Sequence, residues 1–218
     1  MSIYKIWLFL KFGNRTNIKK LYENGTIYMN PIQYFRKEED GELRGDSYEG
    51  AIRIHNYLPG PLNIPEIGFK GNHLGVHLKH SNEEVFGNIY SLYCVSSHGW
   101  KHPSAFNIDE KVKNFGSHCL MIKKPKIFIS KMENHFKKNK MKFNHNFISY
   151  YDKTKINREI TLFEKSLEFE YQKEFRFYLE RDSIDPFVFN IQGLRDISEI
   201  YTTSDILEGL KLEIKKKW

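Results

Sequence analysis

The chain has few cysteines and no long apolar run. Its 218 residues include two cysteines, Cys94 and Cys119, each inside an apolar segment. Two such residues support neither a disulfide framework nor a cysteine-based zinc site, so a reducing cytoplasm is the simplest location. No segment reaches the roughly twenty uninterrupted apolar residues of a membrane span. We therefore expect a cytoplasmic protein without a membrane partner.

The N-terminal segment IYKIWLFLKF is apolar enough to suggest a signal peptide. Lys5 and Lys11 interrupt it, however, and it lacks a small-residue cleavage site. We predict that it forms a first buried strand.

Length and composition predict one domain spanning residues 1–218. Hydrophobic residues make up 40% of the chain and aromatic residues 15%, which is enough to build a core. The 34 Lys and Arg residues outnumber the 27 Asp and Glu residues, giving a net charge of +7. Such an excess attracts phosphates, so nucleic acid or a dinucleotide is the expected class of partner.

Short helices and many strands are predicted along the chain. Ile18, Leu21 and Tyr22 have helical spacing, with Asn14 or Thr16 as the N-cap and a glycine as the stop. TIYMNP, EGAIRIHNY and HCLMIKK have strand character, and VFGNIYSLYCVSS, the longest β-rich run, is expected at the centre of a sheet. LPGPLNIPEIGFKG, rich in proline and glycine, is expected to be an irregular connection. The predicted class is α+β, with a mixed, largely antiparallel sheet and a few short helices.

The stretch YQKEFRFY places a carboxylate and an amide two residues apart in a predicted strand. Side chains alternate along a strand, so Gln172, Glu174 and Arg176 are expected on one face and Phe175 and Phe177 on the other. Burial of the aromatic face would display the polar side chains in a row on a rigid element. This row is either a functional site or an ordinary solvent-exposed face.

Two parts of the sequence resemble the ADP-ribosyltransferase superfamily. LFLKFG, a helix and NGTIYMNP resemble its opening strand, helix and second strand, and Gln172-x-Glu174 resembles its late Gln/Glu-x-Glu signature. The opening and the KEFRF strand are also similar to uncharacterised bacterial and phage proteins found near defence genes. The resemblance implies a split-sheet cleft that binds NAD+, and a toxin or phage-defence role in which a neutralising antitoxin protein is a candidate partner.

The resemblance also implies catalytic roles for the pair in YQKEFRFY. Glu174 would hydrogen-bond the nicotinamide ribose and stabilise an oxocarbenium-like transition state, because positive charge develops on the sugar as nicotinamide leaves. Gln172 would orient the acceptor nucleophile, since an amide both donates and accepts hydrogen bonds. Acceptors other than arginine are common in families with Gln at this position, and the positive charge favours RNA or DNA.

The same resemblance implies where NAD+ would be held. The family has an Arg or His on the first strand, where this chain has Lys11 with Arg15 just beyond. A lysine neutralises a phosphate but cannot make the two-pronged contact of an arginine. Tyr28 and Tyr34 are candidates for stacking on the nicotinamide ring. Ser96, at the end of the long strand, is a candidate remnant of the family's serine motif.

Two other functions remain open. The acidic residues Glu38, Glu39, Asp40, Glu42, Asp46 and Glu49 could bind Mg²⁺ and, with Glu174 and Lys173, form a metal-dependent nuclease. Interleaved basic residues favour a solvated, salt-bridged loop instead. The second alternative is a non-catalytic nucleic-acid or nucleotide-binding module.

Histidines and lysines occur in clusters that could bind a metal ion or a phosphate. His73, His77 and His80 lie in a predicted strand and lack the intervening Glu of a zinc protease, so no metal site is expected there. KNKMKFNH and KLEIKKKW mix lysines with aromatic or apolar residues, a composition that can hold a phosphate backbone. Each is equally typical of a solvated helix end or a frayed terminus.

Overall fold

A computed structural model describes residues 4–37, 48–65, 68–81, 86–100 and 106–211. The strands are β1 (Ile6–Gly13), β2 (Thr26–Pro31), β3 (Ala51–Tyr57), β4 (Gly60–Ile64), β5 (Phe69–His73), β6 (Val76–Ser81), β7 (Asn88–Ser96), β8 (His118–Ile122), β9 (Phe143–Phe147), β10 (Ser149–Tyr151), β11 (Arg158–Glu159), β12 (Glu164–Ser166), β13 (Glu174–Leu179), β14 (Phe187–Asn190) and β15 (Ser198–Thr202). The helices are α1 (Arg15–Asn24), α2 (Ile32–Lys37), α3 (Pro125–Lys138) and α4 (Thr203–Gly209), with 3₁₀ turns at Glu110–Phe115, Leu167–Gln172 and Arg195–Ile197.

One large antiparallel sheet organises the fold. Its strand order is β14-β2-β7-β1-β8-β15, and β13 pairs with the other edge of β7, with β9 beyond it. Smaller sheets are formed by β11-β3-β6, by β4-β5 and by the parallel pair β10-β12. The α+β class with a mixed, largely antiparallel sheet is confirmed, and β7 lies at its centre as predicted.

The large sheet splits along one edge of β7. Strand β1 pairs with β7 between Tyr93 and Ser96, whereas β2 pairs with it at Asn88 and Ile89. Between these pairings, residues 90–92 have no strand partner on this edge within the described ranges. The opposite edge pairs continuously with β13 from Asn88 to Tyr93. The sheet therefore opens between β1 and β2 while β13 holds it together from the other side.

Helix α1 lies beside this split, and two local sequence signals set where it begins and ends. The Asn14 side chain accepts a hydrogen bond from the Asn17 backbone N–H at 2.8 Å, which caps the helix as predicted. Gly25 ends the helix with a φ of 65°, in the left-handed region. A Cβ at this position would lie 1.7 Å from the Ile191 carbonyl oxygen, so glycine is required. The cap and the stop thus fix both ends of α1.

The two faces of β7 contribute to two cores. Tyr90, Leu92 and Cys94 belong to the cluster that includes the buried side chains of α3, namely Phe128, Met132 and Phe136. Tyr93 and Val95 belong to a second cluster on the opposite face. Such burial of both faces is typical of a central strand. No helix among the described residues is long and apolar enough to cross a membrane.

The segment LPGPLNIPEIGFKG differs from its prediction. It contains β4 and β5, which pair antiparallel from Gly60↔His73 to Ile64↔Phe69, rather than an irregular connection. Prolines are tolerated here because a two-stranded ribbon has free edges on both sides. The predicted strand KLEIKKK begins at Lys211, and its other residues lie outside the described ranges.

Candidate functional site

A cleft of about 580 Å³ opens at the split between β1 and β2. Five of the seven side chains chosen from the sequence line it, namely Lys11, Tyr28, Tyr34, Gln172 and Glu174. They come from β1, β2, α2, a 3₁₀ turn and β13, which are far apart in the chain. The fold therefore assembles most of the predicted site in one place.

Two predicted residues do not line this cleft. Arg15 is the first residue of α1 and is exposed on the face that it shares with Lys19, whereas Ile18 and Leu21 face inward. Ser96 is buried where β7 pairs with β1, beyond the split, and lines a separate cavity of about 40 Å³. Neither residue is placed to bind a ligand in the large cleft.

Gln172 and Glu174 do not lie on one strand, as strand alternation predicted, but they share a partner. Gln172 ends a 3₁₀ turn, and β13 begins at Glu174, so the strand starts three residues after Tyr171, where YQKEFRFY begins. Lys173 between them has a φ of 39°, in the left-handed region. The Lys165 ammonium joins the pair, lying 2.9 Å from Gln172 Oε1 and 2.9 Å from Glu174 Oε2. A lysine therefore links the two predicted catalytic side chains.

Glu174 is a buried carboxylate held among donors. Its Oε1 accepts hydrogen bonds from Ser91 Oγ at 2.5 Å and from Arg176 Nε at 2.7 Å. Burial on its own raises the pKa of this carboxyl, but the charges of Arg176 and Lys165 outweigh burial and hold the pKa well below its usual range. Glu174 is therefore ionised in the folded protein.

Arg176 is buried as well, and connects Glu174 to a second carboxylate. Its Nη1 lies 2.6 Å from Glu49 Oε1 and its Nη2 lies 2.9 Å from Glu49 Oε2, a two-pronged pair. Burial lowers the pKa of this guanidinium, but the two carboxylates raise it further, so Arg176 stays charged. Two carboxylates, Glu49 and Glu174, and two cations, Arg176 and Lys165, thus form a compact buried network.

Lys11 occupies the open edge of β7. Its ammonium donates to the Ser91 carbonyl oxygen at 2.7 Å and lies 4.3 Å from the centroid of the Tyr90 ring. The lysine thereby satisfies a carbonyl at the split and leaves a positive charge beside the cleft. Tyr28 and Tyr34 are exposed and line the cleft, as stacking on a ligand ring would require.

Sequence reasoning missed Ser91, Lys165 and the role of Arg176. Ser96 was taken as the candidate for the family's serine motif. Ser91 instead lies opposite Arg176 in the β7–β13 register. A polar residue inside a long apolar strand was the available signal for Ser91. Lys165 lies in a charged segment without clear periodicity, and no local pattern distinguishes it.

The metal-site alternative falls largely on residues outside the described ranges, which include Glu38, Glu39, Asp40, Glu42 and Asp46. Glu49 is described, and both its oxygens bind Arg176. Across the described part of the chain, no group of three or more His, Cys, Asp or Glu side chains could hold a metal ion. His77 lies between the Tyr48 hydroxyl and the Asn56 side chain, at 2.6 Å from each.

The lysines of the KNKMKFNH region are partly neutralised. Lys137 forms a salt bridge with Glu133 at 2.9 Å, and Lys142 forms one with Glu180 at 3.1 Å. The region therefore presents less net positive charge than its sequence suggests. Residues 215–217 of the second lysine-rich segment lie outside the described ranges.

The Glu174 carboxyl should make stability depend on acidic pH. Its pKa in the folded protein lies below the unfolded value of about 4.3. The resulting stability is fully present above the unfolded pKa and is lost as pH falls towards the folded pKa. We expect the urea midpoint of the wild type to fall more steeply between about pH 5 and pH 3 than that of Glu174→Gln. Parallel pH profiles for the two proteins would contradict this assignment.

The cleft combines aromatic walls, lysines and a buried ionised carboxylate. Lys11, Lys20 and Lys165 provide positive charge, and Asn14 and Asn17 provide neutral hydrogen-bonding groups. Such a lining suits an anionic ligand that carries planar rings. Comparison with protein-family models, curated proteins and solved structures gives no match.

Proposed function

We propose that this chain is an NAD+-dependent ADP-ribosyltransferase that modifies RNA or DNA, with a role as a toxin or phage-defence effector. One observation carries the proposal. Residues chosen from the sequence for NAD+ binding and catalysis, among them Lys11, Tyr28, Gln172 and Glu174, converge on one cleft at a split in the sheet. They come from segments that lie far apart in the sequence, and only the fold brings these segments to one cleft. Their meeting there supports a shared role.

The cleft has the size and chemistry that a dinucleotide needs. Its volume of about 580 Å³ lies within the range of small-molecule sites, roughly 300–1,000 Å³. Lys11 and Lys20 can neutralise the pyrophosphate, and the exposed rings of Tyr28 and Tyr34 can stack on the nicotinamide.

The proposed reaction breaks the bond between the nicotinamide nitrogen and C1′ of its ribose. Nicotinamide leaves with the bonding electron pair, positive charge develops on the ribose, and the acceptor attacks C1′ and loses a proton. The ionised Glu174 carboxylate would stabilise the developing charge. Gln172, joined to it through Lys165, would orient the acceptor.

One observation favours a second candidate, a non-catalytic nucleotide-binding module. Both oxygens of Glu174 are already engaged, one by Ser91 and Arg176 and the other by Lys165. A carboxylate so fully paired has less negative charge to offer a ribosyl cation. This candidate predicts NAD+ binding without nicotinamide release.

The test is incubation of the purified wild-type chain with adenine-labelled NAD+, in the presence of RNA, DNA or cell-lysate protein in separate reactions. We expect nicotinamide release, measured by chromatography, and transfer of the label to one of the nucleic acids. EDTA should leave both unchanged, since the proposed step uses no metal. Binding of NAD+ without release would favour the second candidate. Nucleic-acid cleavage that EDTA abolishes would favour the nuclease.

A further inference from the structure

Strands β3 to β6 form one long antiparallel ribbon. Strand β3 pairs with β6, and β4 pairs with β5, so that residues 51–64 run against residues 69–81. The pairing is interrupted where Leu58 and Pro59 face Leu74 and Gly75. Leu58 is 85% exposed and Leu74 is 97% exposed. The ribbon therefore presents large side chains to solvent rather than to a core.

The β3–β6 part of the ribbon has a covered face and an open face. On the covered side, Ile54 is fully buried, and His77 and Lys79 contact the ring of Tyr48. The register pairs Ile54 with Lys79, and residues paired directly in an antiparallel ladder share a face. This face therefore packs on the body of the protein at Ile54, whereas His77 and Lys79 stay exposed beside Tyr48.

The open face carries the alternate residues. Arg53 pairs with His80, His55 with Leu78 and Tyr57 with Val76. We define the open face as Arg53, His55, Tyr57, Leu78 and His80. Arg53, Tyr57, Leu78 and His80 are exposed and His55 is half-buried. The face runs across two paired strands.

The open face is aromatic and carries one arginine, Arg53. The rings of His55 and Tyr57 are stacked, with centroids 6.1 Å apart and planes 23° apart, and the His80 ring lies 5.5 Å from His55. The ribbon as a whole is basic, since residues 51–81 include one arginine, two lysines and four histidines against a single acid, Glu66. Glu159 of β11 pairs with Arg53, so it shares that face and offsets the charge at one end of it.

This combination fits single-stranded nucleic acid better than another protein. Aromatic side chains on an open sheet face stack on unpaired bases, and neighbouring cations hold the phosphates. Charge complementarity points the same way, because the ribbon is basic and nucleic acid is a polyanion. A duplex keeps its bases stacked on one another and cannot use the rings.

We infer that the open face binds single-stranded nucleic acid, the acceptor class of the proposed function. The ribbon is joined to the site through one chain of contacts, because Glu49, two residues before β3, binds Arg176, which in turn holds Glu174. A role in holding the acceptor rests on the proposed function, whereas binding itself does not, since it needs no NAD+.

The test measures binding of a fluorescein-labelled single-stranded RNA of about ten nucleotides by anisotropy, without NAD+, at roughly 50 and 200 mM salt. We expect His55→Ala/Tyr57→Ala to weaken binding by at least about fivefold, because each lost stack removes a base contact. Arg53→Gln should flatten the salt dependence. Tyr57→Phe should bind as the wild type does, since it keeps a ring.

Two control variants test whether the loss of a charge or of an apolar side chain outside the open face has the same effect on binding. Lys126→Gln on α3 and Ile184→Ala, which is 65% exposed, should leave binding unchanged. Circular dichroism of each variant checks its fold, and the Arg53→Gln comparison holds even where an alanine variant unfolds. Absence of RNA binding by the wild type, equal binding by the open-face variants, or equal affinity for a duplex would overturn the inference. Nicotinamide release is scored separately, so failure of the proposed function is distinguishable.

Discussion

Glu174→Gln is expected to reduce nicotinamide release by about 10²–10³-fold, the usual cost of removing one group that stabilises transition-state charge. The amide keeps the size of the carboxylate and can still accept from Ser91, but it lacks the charge that a ribosyl cation requires. The rate is measured under saturating NAD+, so that a loss of binding is separated from a loss of catalysis.

Glu49→Gln is the matched control for this variant. It removes a buried carboxylate from the same guanidinium, at the end away from the cleft, because Glu49 binds Arg176 but does not line the cleft. Both variants should lose stability, whereas only Glu174→Gln should lose nicotinamide release. Release within about tenfold of the wild type in Glu174→Gln, or equal losses in the two variants, would remove Glu174 from the catalytic role.

Arg176→Met is expected to destabilise the fold by about 3–5 kcal/mol, the usual cost of breaking a buried ion pair by removing one partner. The methionine fills much of the volume, but Glu49 and Glu174 are then left as buried carboxylates with Lys165 as their nearest cation. The free energy of unfolding is measured by urea titration at neutral pH.

Arg158→Met provides the comparison for this loss. Arg158 also binds a glutamate, Glu164, at 2.7 Å, but its side chain is 46% exposed, so its removal should cost no more than about 1 kcal/mol. Adding Glu49→Met to Arg176→Met should recover part of the stability, because it removes one uncompensated charge. Equal losses of unfolding free energy in the two arginine variants would show that the buried network stabilises the fold no more than an exposed ion pair does.

Local signals predicted much of the fold. The Asn14 cap and the glycine stop at Gly25 are each encoded within a few residues, and the structure has α1 between them. The β4–β5 ribbon was missed because proline and glycine are typical of loops. Pairing between two short strands overrode this local composition.

The site was predicted only in part, for a different physical reason. Lys11, Tyr28 and Glu174 were proposed from the family resemblance, and all three line the cleft. Ser91 lies 83 positions from Glu174 and is placed beside it by the register between β7 and β13. Arg176, which holds Glu174, is in turn paired with Glu49, 127 positions away. No window of sequence contains such a contact. Assignment of this chain to a single ADP-ribosyltransferase domain over residues 1–218 remains a prediction.

The position of β7 in the chain has a consequence for folding kinetics. Its partners β1 and β13 lie about eighty residues before and after it, so the central pairings close long loops. Long-range antiparallel pairing slows folding, towards the millisecond-to-second range of β-rich domains. During synthesis, the first half of the sheet leaves the ribosome before the strand that carries Glu174 exists. The cleft is therefore completed late, and a nascent chain lacks its carboxylate until β13 has joined the sheet.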